Sequence, residues 1–499
     1  MSGALESGDA AQVSNRSDRG RLWLWIGAVL SLFALHSEYD LPVAAWLYSI
    51  FLLRYVRLRR PAVGVAWVWL VSLVGWACWL SLTALIASGT AAVAFLILAC
   101  LLTVPFLLDR LLTPHLTRRS LLLASLVFPL GRAACEYLFT LVAGFGNFGS
   151  LAATQHGNLP LLQVTSITGS YGVSFVVAWL ASVVNQAWSA GFTWPAVRSL
   201  ARGYLAVLVL VLAGGAIRLA WQAPVEETVR VAGITPSRAA LDERRRLDRD
   251  APVHEDLLAR TDQEARAGAK IILWSESAAP VTAETRSALI DRVAALARQR
   301  GVYIEMGMEM RGDRPSNEAV MVAPDGSVAW TYHKAHPTPA EAAIGIGAGS
   351  GAVPVLSTPV ARLATVICYD LDFPPLVRQA ARLDTDILLV PANDWPGIMA
   401  MHSQKAVVRA IENGFSIVRQ SGHGIATALD PYGRTLATSH FYATDAQTIV
   451  AYLPVRGVGT IYSAVGDVFA WLCVAALAAL GALVRLELRP RAQAASSLP

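Results

Sequence analysis

Eight long apolar runs constrain the fold of this chain more than any other feature of its sequence. A helix of about 20 mostly apolar residues spans the hydrocarbon core of a bilayer. A composition of 55% hydrophobic and 15% charged residues is too apolar for a soluble protein of 499 residues. We therefore predict a polytopic α-helical membrane bundle of about eight spans. The runs lie near residues 21–36, 41–57, 63–86, 89–108, 120–143, 169–192, 203–221 and 466–485.

The first run is short enough to be the core of a signal peptide. However, no small-residue cleavage site follows it in the sequence, and a second apolar run begins almost at once. Because a signal peptide ends in such a site, we interpret residues 21–36 as a retained helix.

Clusters of arginine predict the orientation of the bundle. With eight spans, every cluster lies on one side of the membrane, which the positive-inside rule assigns to the cytoplasm. The net charge of +5 then reflects topology, and no basic stripe with interleaved aromatic residues indicates nucleic-acid binding. The partner that we expect for this protein is therefore the lipid bilayer. The clusters are Arg16/Arg19/Arg21, Arg54/Arg57/Arg59/Arg60, Arg110/Arg118/Arg119, Arg198/Arg202 and Arg485/Arg489/Arg491.

This topology divides the chain into five segments. Residues 1–20 form a cytoplasmic tail, and residues 21–227 form a transmembrane domain of about seven spans. Residues 228–463 form an external domain, in which short β-branched runs alternate with helical stretches and hairpins. That alternation predicts an α/β sandwich. Residues 464–486 form a C-terminal transmembrane helix, and residues 487–499 form a second cytoplasmic tail.

Cys368 is the one cysteine of the external domain, because the other four of the five lie in apolar spans. An unpaired thiol outside the cytoplasm is a liability unless it is buried or used. Glu276, Lys334 and Cys368 each follow a predicted strand. Since strand ends at one edge of a sheet converge, these three side chains are expected to meet in one pocket.

The three side chains can perform acyl transfer together. Glu276 would accept the thiol proton, and the Cys368 thiolate would attack an acyl carbonyl. Lys334 and the backbone N–H of Tyr369 would donate hydrogen bonds to the resulting oxyanion. Only three of the 41 basic residues are lysines, and a lysine kept at a strand end suggests a need for a compact ammonium.

Two other groups of polar residues have simpler interpretations. His333 and His336 flank Lys334, but no third or fourth ligand stands at metal spacing, so no metal and no cofactor is expected. Arg132 and Glu136, one turn apart within an apolar run, are interpreted as an ion pair facing the bundle interior.

The order of these motifs resembles the nitrilase, or carbon–nitrogen hydrolase, superfamily with its Glu-Lys-Cys triad. The match comprises Trp-Ser-Glu-Ser at 274–277, Lys334, and Ile-Cys-Tyr-Asp-Leu-Asp-Phe-Pro at 367–374. It continues through Asn393-Asp394-Trp395, His402, residues 409–414 and residues 424–426. With residues 163–175, 460–462 and 466–467, almost the whole chain is similar to the family of bacterial apolipoprotein N-acyltransferases.

The resemblance implies a reaction, its substrates and a location. Members of that family move an acyl chain from a phospholipid onto cysteine and then to the amino group of a diacylglyceryl-cysteine apolipoprotein. It implies a multi-pass protein of the bacterial inner membrane, with a nitrilase-like catalytic domain on the periplasmic face. Glu276, Lys334 and Cys368 would be base, oxyanion stabiliser and nucleophile, and the supporting residues would be Glu341, Tyr369, Asp370 and Trp395.

Some departures from the family leave alternatives open. The loops 335–341 and 395–402 are shorter than in the family, and Asp370 stands where glutamate is usual. A membrane-anchored amidase that hydrolyses a carbon–nitrogen bond is therefore an alternative. A transporter or scaffold with an inactive domain is a third, which the complete triad disfavours. Acyl length, headgroup, lipoprotein clients and oligomeric state are not predicted.

Overall fold

The computed structural model describes residues 20–34, 39–85, 88–221, 227–444 and 448–495, with side chains to residue 488. These residues form two compact units. The helical unit comprises the described residues up to Gln155, Thr168–Gly214 and the residues from Asp467 onwards. The sheet unit comprises His156–Ile167 and the described part of Gly215–Gly466. The short segment 156–167 thus belongs to the sheet unit, although it lies between two predicted spans.

Each of the eight predicted apolar runs coincides with a helix. Five helices among the described residues are long and apolar enough to cross a membrane: Pro61–Leu82, Gly89–Leu116, Leu121–Val142, Trp194–Ala220 and Val468–Leu488. The helices in this part of the chain are α1 Gly20–Leu32, α2 Pro42–Leu58, α3 Pro61–Leu82, α4 Gly89–Leu116, α5 Leu121–Val142, α6 Leu151–Thr154, α7 Leu159–Leu162, α8 Thr165–Thr168, α9 Ser170–Ser189, α10 Trp194–Ala220 and, after the sheet unit, α18 Val468–Ala495.

The three remaining long runs fall short of a full span for different reasons. Helix α1 is short, and α2 has 17 residues. Helix α9 has 20 residues but carries buried Ser182, Asn185 and Gln186. Their polar side chains are less costly inside a bundle than against lipid. Five helices therefore have the length and composition of a membrane span. The other three are shorter or more polar.

Arg132 and Glu136 of α5 form a buried ion pair inside the helical unit. Arg132 Nε donates to Glu136 Oε1 at 2.7 Å, which confirms the predicted interior pair. Arg132 also donates to Tyr48 Oη at 2.9 Å and to the Gly149 carbonyl at 2.7 Å. Because its guanidinium bonds to three acceptors, Arg132 joins α5 to α2 and to the turn before α6 at low electrostatic cost.

The sheet unit contains two stacked sheets, as the sequence predicts for an α/β sandwich. In the first, the strand order is β13-β1-β2-β4-β5-β6, with β3 paired to β4; in the second it is β12-β11-β10-β9-β8-β7. Strands β1, β2 and β4 are parallel, as are β8, β9 and β10. The strands are β1 Thr228–Ile234, β2 Ile271–Trp274, β3 Ala279–Val281, β4 Tyr303–Met310, β5 Ser316–Val322, β6 Val328–His333, β7 Val355–Ser357, β8 Arg362–Thr365, β9 Ile387–Asn393, β10 Ser416–Gly422, β11 Ile425–Leu429, β12 Thr435–His440 and β13 Thr448–Pro454.

Helices cover the outer faces of the sheets. Leu257 of α12 and Val293 of α13 pack with Ile272 and Ile304 in one buried apolar cluster. Trp274 is completely buried there, and its Nε1 donates to Thr261 at 2.9 Å. The helices of this unit are α11 Arg238–Leu247, α12 Ala251–Arg266, α13 Ala283–Arg300, α14 Pro339–Ala343, α15 Pro374–Arg382, α16 Met399–Asn413 and α17 Ile461–Val465.

Candidate active site

Glu276 lies two residues beyond β2, at the edge where the two sheets meet. Its backbone N–H donates to the Ala392 carbonyl of β9 at 3.2 Å, so the segment links both sheets. Gly307 of β4 lies directly beneath it, and a Cβ atom at this position would stand 2.0 Å from the Ser275 carbonyl oxygen. The absence of a side chain at Gly307 therefore allows the turn that carries Glu276 to pack against the sheet.

Lys334 follows β6 and is 2% exposed. Its backbone N–H donates to Asn317 O at 3.0 Å, and its carbonyl accepts from Gly349 N at 2.8 Å. The Nζ atom donates to Glu276 Oε1 at 2.7 Å and to Glu341 Oε2 at 2.7 Å. The structure thus brings two of the three predicted side chains into direct contact, with Glu341 as a second carboxylate on the same ammonium.

Glu341 is fixed by its own helix. The backbone N–H of Thr338 donates to Glu341 Oε2 at 2.7 Å, and the Thr338 hydroxyl accepts from the backbone N–H of Glu341 at 3.3 Å. This reciprocal pair is a capping box at the start of α14. The loop between Lys334 and Glu341 therefore returns the second carboxylate to the ammonium.

Asn317, which no sequence motif singled out, joins the two carboxylates. Its Nδ2 donates to Glu276 Oε1 and to Glu341 Oε1, both at 2.7 Å. Because both partners are carboxylate oxygens, the amide NH2 group must face them. The available signal was an asparagine two residues before the apolar run 319–322. In the structure, β5 extends back to Ser316 and so includes Asn317.

Cys368 begins a 3₁₀ turn, Cys368–Asp372, three residues beyond β8. Its φ of +45° is left-handed, a conformation that a non-glycine residue adopts only where the surrounding structure imposes it. The thiol is 6% exposed, and Sγ lies 3.9 Å from Asn393 O. Glu276 and Lys334 belong to the first sheet and Cys368 to the second. The three candidates therefore follow strands of two sheets, and not of one sheet as the strand ends suggested. Cys368 lies beside Asn393 of β9, whose neighbour Ala392 accepts from the backbone N–H of Glu276.

Asp370 holds the nucleophile turn against the lysine loop. Its carboxylate accepts from the backbone N–H of Ile367 at 3.2 Å, on the strand side of Cys368. It also accepts from Tyr332 Oη at 2.8 Å and from the backbone N–H of His336 at 2.7 Å. Asp370 is completely buried. It therefore ties together the segments that carry Cys368 and Lys334.

The two aromatic candidates lie beside these groups. Tyr369 is buried, and its ring packs edge-on against Phe373 with a centroid separation of 5.1 Å. Trp395 is half-buried in the turn before α16, where its carbonyl accepts from Ile398 N at 3.0 Å. Tyr369 is adjacent to the thiol in the chain, and Trp395 follows Asp394, which also lies near the thiol.

A second set of charged side chains is buried next to Cys368. The Sγ atom, an oxygen of Asp394 and a ring nitrogen of His402 lie within 4.8 Å of one another. Asp394 accepts from His402 Nδ1 at 2.8 Å, from Arg419 Nη2 at 2.7 Å and from Ser421 Oγ at 2.9 Å. Although these residue types can bind metals, the oxygens of Asp394 are already engaged by three protein donors.

The two carboxyl groups of the site differ in basicity. Burial raises the pKa of Glu276, against the opposing charge of Lys334. Burial acts in the same direction on Glu341, but there the Lys334 ammonium outweighs it and lowers the pKa. Environments that separate the pKa values of two neighbouring acids commonly assign them different roles. Glu276 is the stronger base of the pair, and Glu341 stays ionised.

The thiol and the ammonium also respond to burial. Burial raises the pKa of the Cys368 thiol well above its usual value, and Glu276 raises it further while Lys334 opposes both. Burial alone would lower the pKa of Lys334, but the negative charge of Glu276 outweighs it and raises the pKa. At rest the site therefore holds a neutral thiol beside a permanently charged ammonium.

Both the sheet unit and the helical unit contain sequence that matches a known protein family. The family model described as carbon-nitrogen hydrolase matches residues 229–461. The model of the apolipoprotein N-acyltransferase N-terminal domain matches residues 26–183. Among solved structures, an amidase from Nesterenkonia sp. is similar over 46% of this chain and 91% of its own, with 22% identity and a TM-score of 0.39.

Two similar curated proteins carry the same name. The apolipoprotein N-acyltransferase of Geobacter metallireducens is 31% identical over 398 residues, which are 71% of this chain and 73% of that protein. The protein of the same name from Rickettsia typhi is 24% identical over 55% of this chain and 59% of its own length. With both family models and a relative that spans most of the sequence, this chain belongs to the apolipoprotein N-acyltransferase family.

Proposed function

We propose that this protein transfers an acyl chain from a membrane phospholipid, through a thioester on Cys368, to the N-terminal amino group of a diacylglyceryl-cysteine apolipoprotein. The observation that carries the proposal is the buried contact of Lys334 with Glu276 and Glu341, adjacent to a thiol in a left-handed turn. Apolar helices in the same chain would hold this site close to lipid. Phospholipids are then the most abundant acyl donors within reach.

The first half-reaction forms the thioester. Glu276 takes the thiol proton, and the Cys368 thiolate attacks the ester carbonyl of the phospholipid. Lys334 and the backbone N–H of Tyr369 stabilise the oxyanion of the tetrahedral intermediate. The carbon–oxygen bond to the glycerol breaks, and the leaving alkoxide takes the proton from Glu276. The lysophospholipid departs, and the acyl group stays on sulfur.

The second half-reaction transfers the acyl group to nitrogen. The amino group of the apolipoprotein attacks the thioester carbonyl, again toward Lys334 and the Tyr369 N–H. Glu276 accepts the proton that the amine loses, and the carbon–sulfur bond breaks. The released thiolate recovers that proton, which restores the neutral thiol and the Glu276 carboxylate. No cofactor takes part in either step.

Four further residues support these steps. Glu341 keeps the ammonium of Lys334 oriented and balanced in charge when Glu276 is protonated, because both carboxylates bond to the same Nζ. Asp370 fixes the nucleophile turn through Ile367 N and the lysine loop through His336 N. Tyr369 and Trp395 offer apolar surface beside the thiol, where an acyl chain would lie.

The proposed function includes a membrane topology with more spans than the five long apolar helices. All eight predicted runs cross the membrane, with the basic clusters on the cytoplasmic side. Residues 21–227 and 464–486 are the transmembrane parts, and residues 228–463 are the periplasmic catalytic domain. The tails 1–20 and 487–499 lie in the cytoplasm of a bacterial inner membrane. A cysteine-labelling map of the loops with a membrane-impermeant reagent tests this arrangement.

The decisive test of the activity compares two acceptors. Purified protein is given phospholipid with a labelled acyl chain, together with a diacylated lipopeptide whose N-terminus is free. Label must reach the lipopeptide amine faster than the protein hydrolyses simple amides, and Cys368→Ala must abolish the transfer. Cys100→Ala, which removes a thiol from α4, is the matched control and keeps activity. Amide hydrolysis as the faster reaction would instead identify an amidase and overturn the proposal.

A further inference from the structure

Both ring nitrogens of His402 face carboxylates in the interior of the sheet unit. Nδ1 lies 2.8 Å from Asp394 Oδ1, and Nε2 lies 3.5 Å from Asp372 Oδ2. An ionised carboxylate can only accept hydrogen bonds, whereas a neutral imidazole carries one N–H and one lone pair. A neutral ring would therefore point its lone pair at one of the carboxylates. The imidazolium form donates to both and removes this repulsion.

From this geometry we propose that His402 is a positioning residue whose positive charge, held between Asp394 and Asp372, permits the Cys368 thiolate to form. It rests on the proposed role of Cys368 as nucleophile. The imidazolium acts through Asp394, because an oxygen of that carboxylate, a ring nitrogen and Sγ lie within 4.8 Å of one another. Without the imidazolium, the negative charge of Asp394 would oppose the developing thiolate.

The charges around His402 agree with this role. Asp372 accepts from Lys405 Nζ at 2.8 Å, and Asp394 accepts from Arg419 Nη2 at 2.7 Å, so each carboxylate has another cationic partner. These two ion pairs have no net charge, and the protonated imidazole adds one positive charge to them. The thiolate of Cys368 supplies the matching negative charge when it forms. Arg409, which is paired with Glu412, donates from Nε to the carbonyl of Leu371 in the nucleophile turn.

The direction of the pKa shifts agrees with the geometry. Burial alone would lower the pKa of His402, but Asp372 and Asp394 outweigh it and raise the pKa above its usual value. Burial lowers the pKa of Lys405 to about 8, which weakens the other cationic partner of Asp372. For Cys368, burial raises the pKa most; Asp394 raises it further, and Arg419 lowers it. Formation of the thiolate therefore depends in part on how completely the neighbouring cations offset the charge of Asp394.

The test measures the reactivity of Cys368 without any acyl donor. Full-length protein in detergent is alkylated with iodoacetamide between pH 6 and 10, and modification of the Cys368 peptide is followed by mass spectrometry. His402→Gln should raise the pH midpoint by about one unit. The rate at pH 7 should fall about threefold, because higher intrinsic nucleophilicity offsets part of the tenfold loss of thiolate. His254→Gln removes another buried histidine, bonded to Pro280 O at 2.8 Å, and should leave the midpoint unchanged.

A wild-type midpoint in folded His402→Gln protein would overturn the proposal, whether or not the enzyme transfers acyl chains. If that variant does not fold, NMR of wild-type protein with labelled histidine side chains decides the question. Of the nine histidines of the chain, one should keep an imidazolium shift at pH 8 and change when Cys368 is alkylated. Nine neutral rings at pH 8 would contradict the proposal.

Discussion

Glu305 provides a quantitative test of the electrostatics inside the sandwich. It lies on β4 with a completely buried side chain, and one oxygen accepts from Trp330 Nε1 at 3.3 Å. Burial raises the pKa of this carboxyl to about 8 from an ordinary value of 4.5, against hydrogen bonds from Thr365 and Trp330. The folded protein therefore keeps a proton here that the unfolded chain has already lost at neutral pH.

The sign of the stability effect follows from proton linkage. Between about pH 4.5 and 8 the folded state binds one more proton than the unfolded state, so stability falls as pH rises. The slope is about 1.4 kcal/mol per pH unit. The contribution is complete below pH 4.5 and lost by about pH 8, which amounts to about 5 kcal/mol over the window and about 3 kcal/mol by pH 7.

Glu305→Gln removes this pH dependence, because an amide of nearly the same shape has no proton to lose. The assay is thermal unfolding of the full-length protein in detergent at several values between pH 5 and 8. The melting temperature of the variant relative to wild type should rise by about 6–12 °C from pH 5 to pH 7, at 2–4 °C per kcal/mol for a unit of this size. Other titrating groups cancel in this difference.

Glu309→Gln is the matched control, since Glu309 lies on the same strand but is partly exposed and paired with Arg311 at 3.0 Å. Its melting temperature should follow wild type at every pH. Equal pH slopes for wild type and Glu305→Gln would refute the reasoning, because they would mean that Glu305 is already ionised in the folded protein.

Three further substitutions test the arrangement of the site. Asn317→Ala removes the donor shared by Glu276 and Glu341, and thioester formation in single-turnover assays should slow about ten- to a hundredfold. Gly307→Ala places a methyl group 2.0 Å from the Ser275 carbonyl oxygen. Thermal unfolding should show that the folded protein is less stable by about 1–3 kcal/mol. Turnover assays should show that kcat falls about tenfold or more. Asp370→Asn replaces one acceptor oxygen with a donor that faces backbone N–H groups. Alkylation should then favour Cys368 over the other four cysteines less than it does in wild type.

The positions of the main site residues were accessible from sequence because each follows a short apolar strand. Glu276 comes after β2, Lys334 after β6 and Cys368 after β8, so a short apolar run and its end were sufficient to single them out. The pairing of strands was not accessible. Which strands share a sheet depends on contacts between distant residues, and the three side chains proved to belong to two sheets.

The buried charge network around His402 could not be predicted for the same reason. Asp372, Asp394 and Arg419 lie on a turn, a strand end and another strand, and their separation in sequence gives no sign that they surround one histidine. The segment 156–167 was likewise assigned by chain order to the membrane domain. In the structure, Gln163 Nε2 donates to Tyr432 O at 3.0 Å, a contact within the sheet unit that local patterns do not reveal.

The most direct test of the account is mass spectrometry of the Cys368 peptide from protein purified from membranes without added reductant. The account predicts an added mass equal to a fatty acyl group of the host phospholipids, removable by neutral hydroxylamine because it is a thioester. Glu276→Gln should lack it, because the thiol then has no base to take its proton. An unmodified Cys368 in protein that still transfers acyl chains, or an acyl group on a different residue, would contradict the claim that this thiol is the nucleophile.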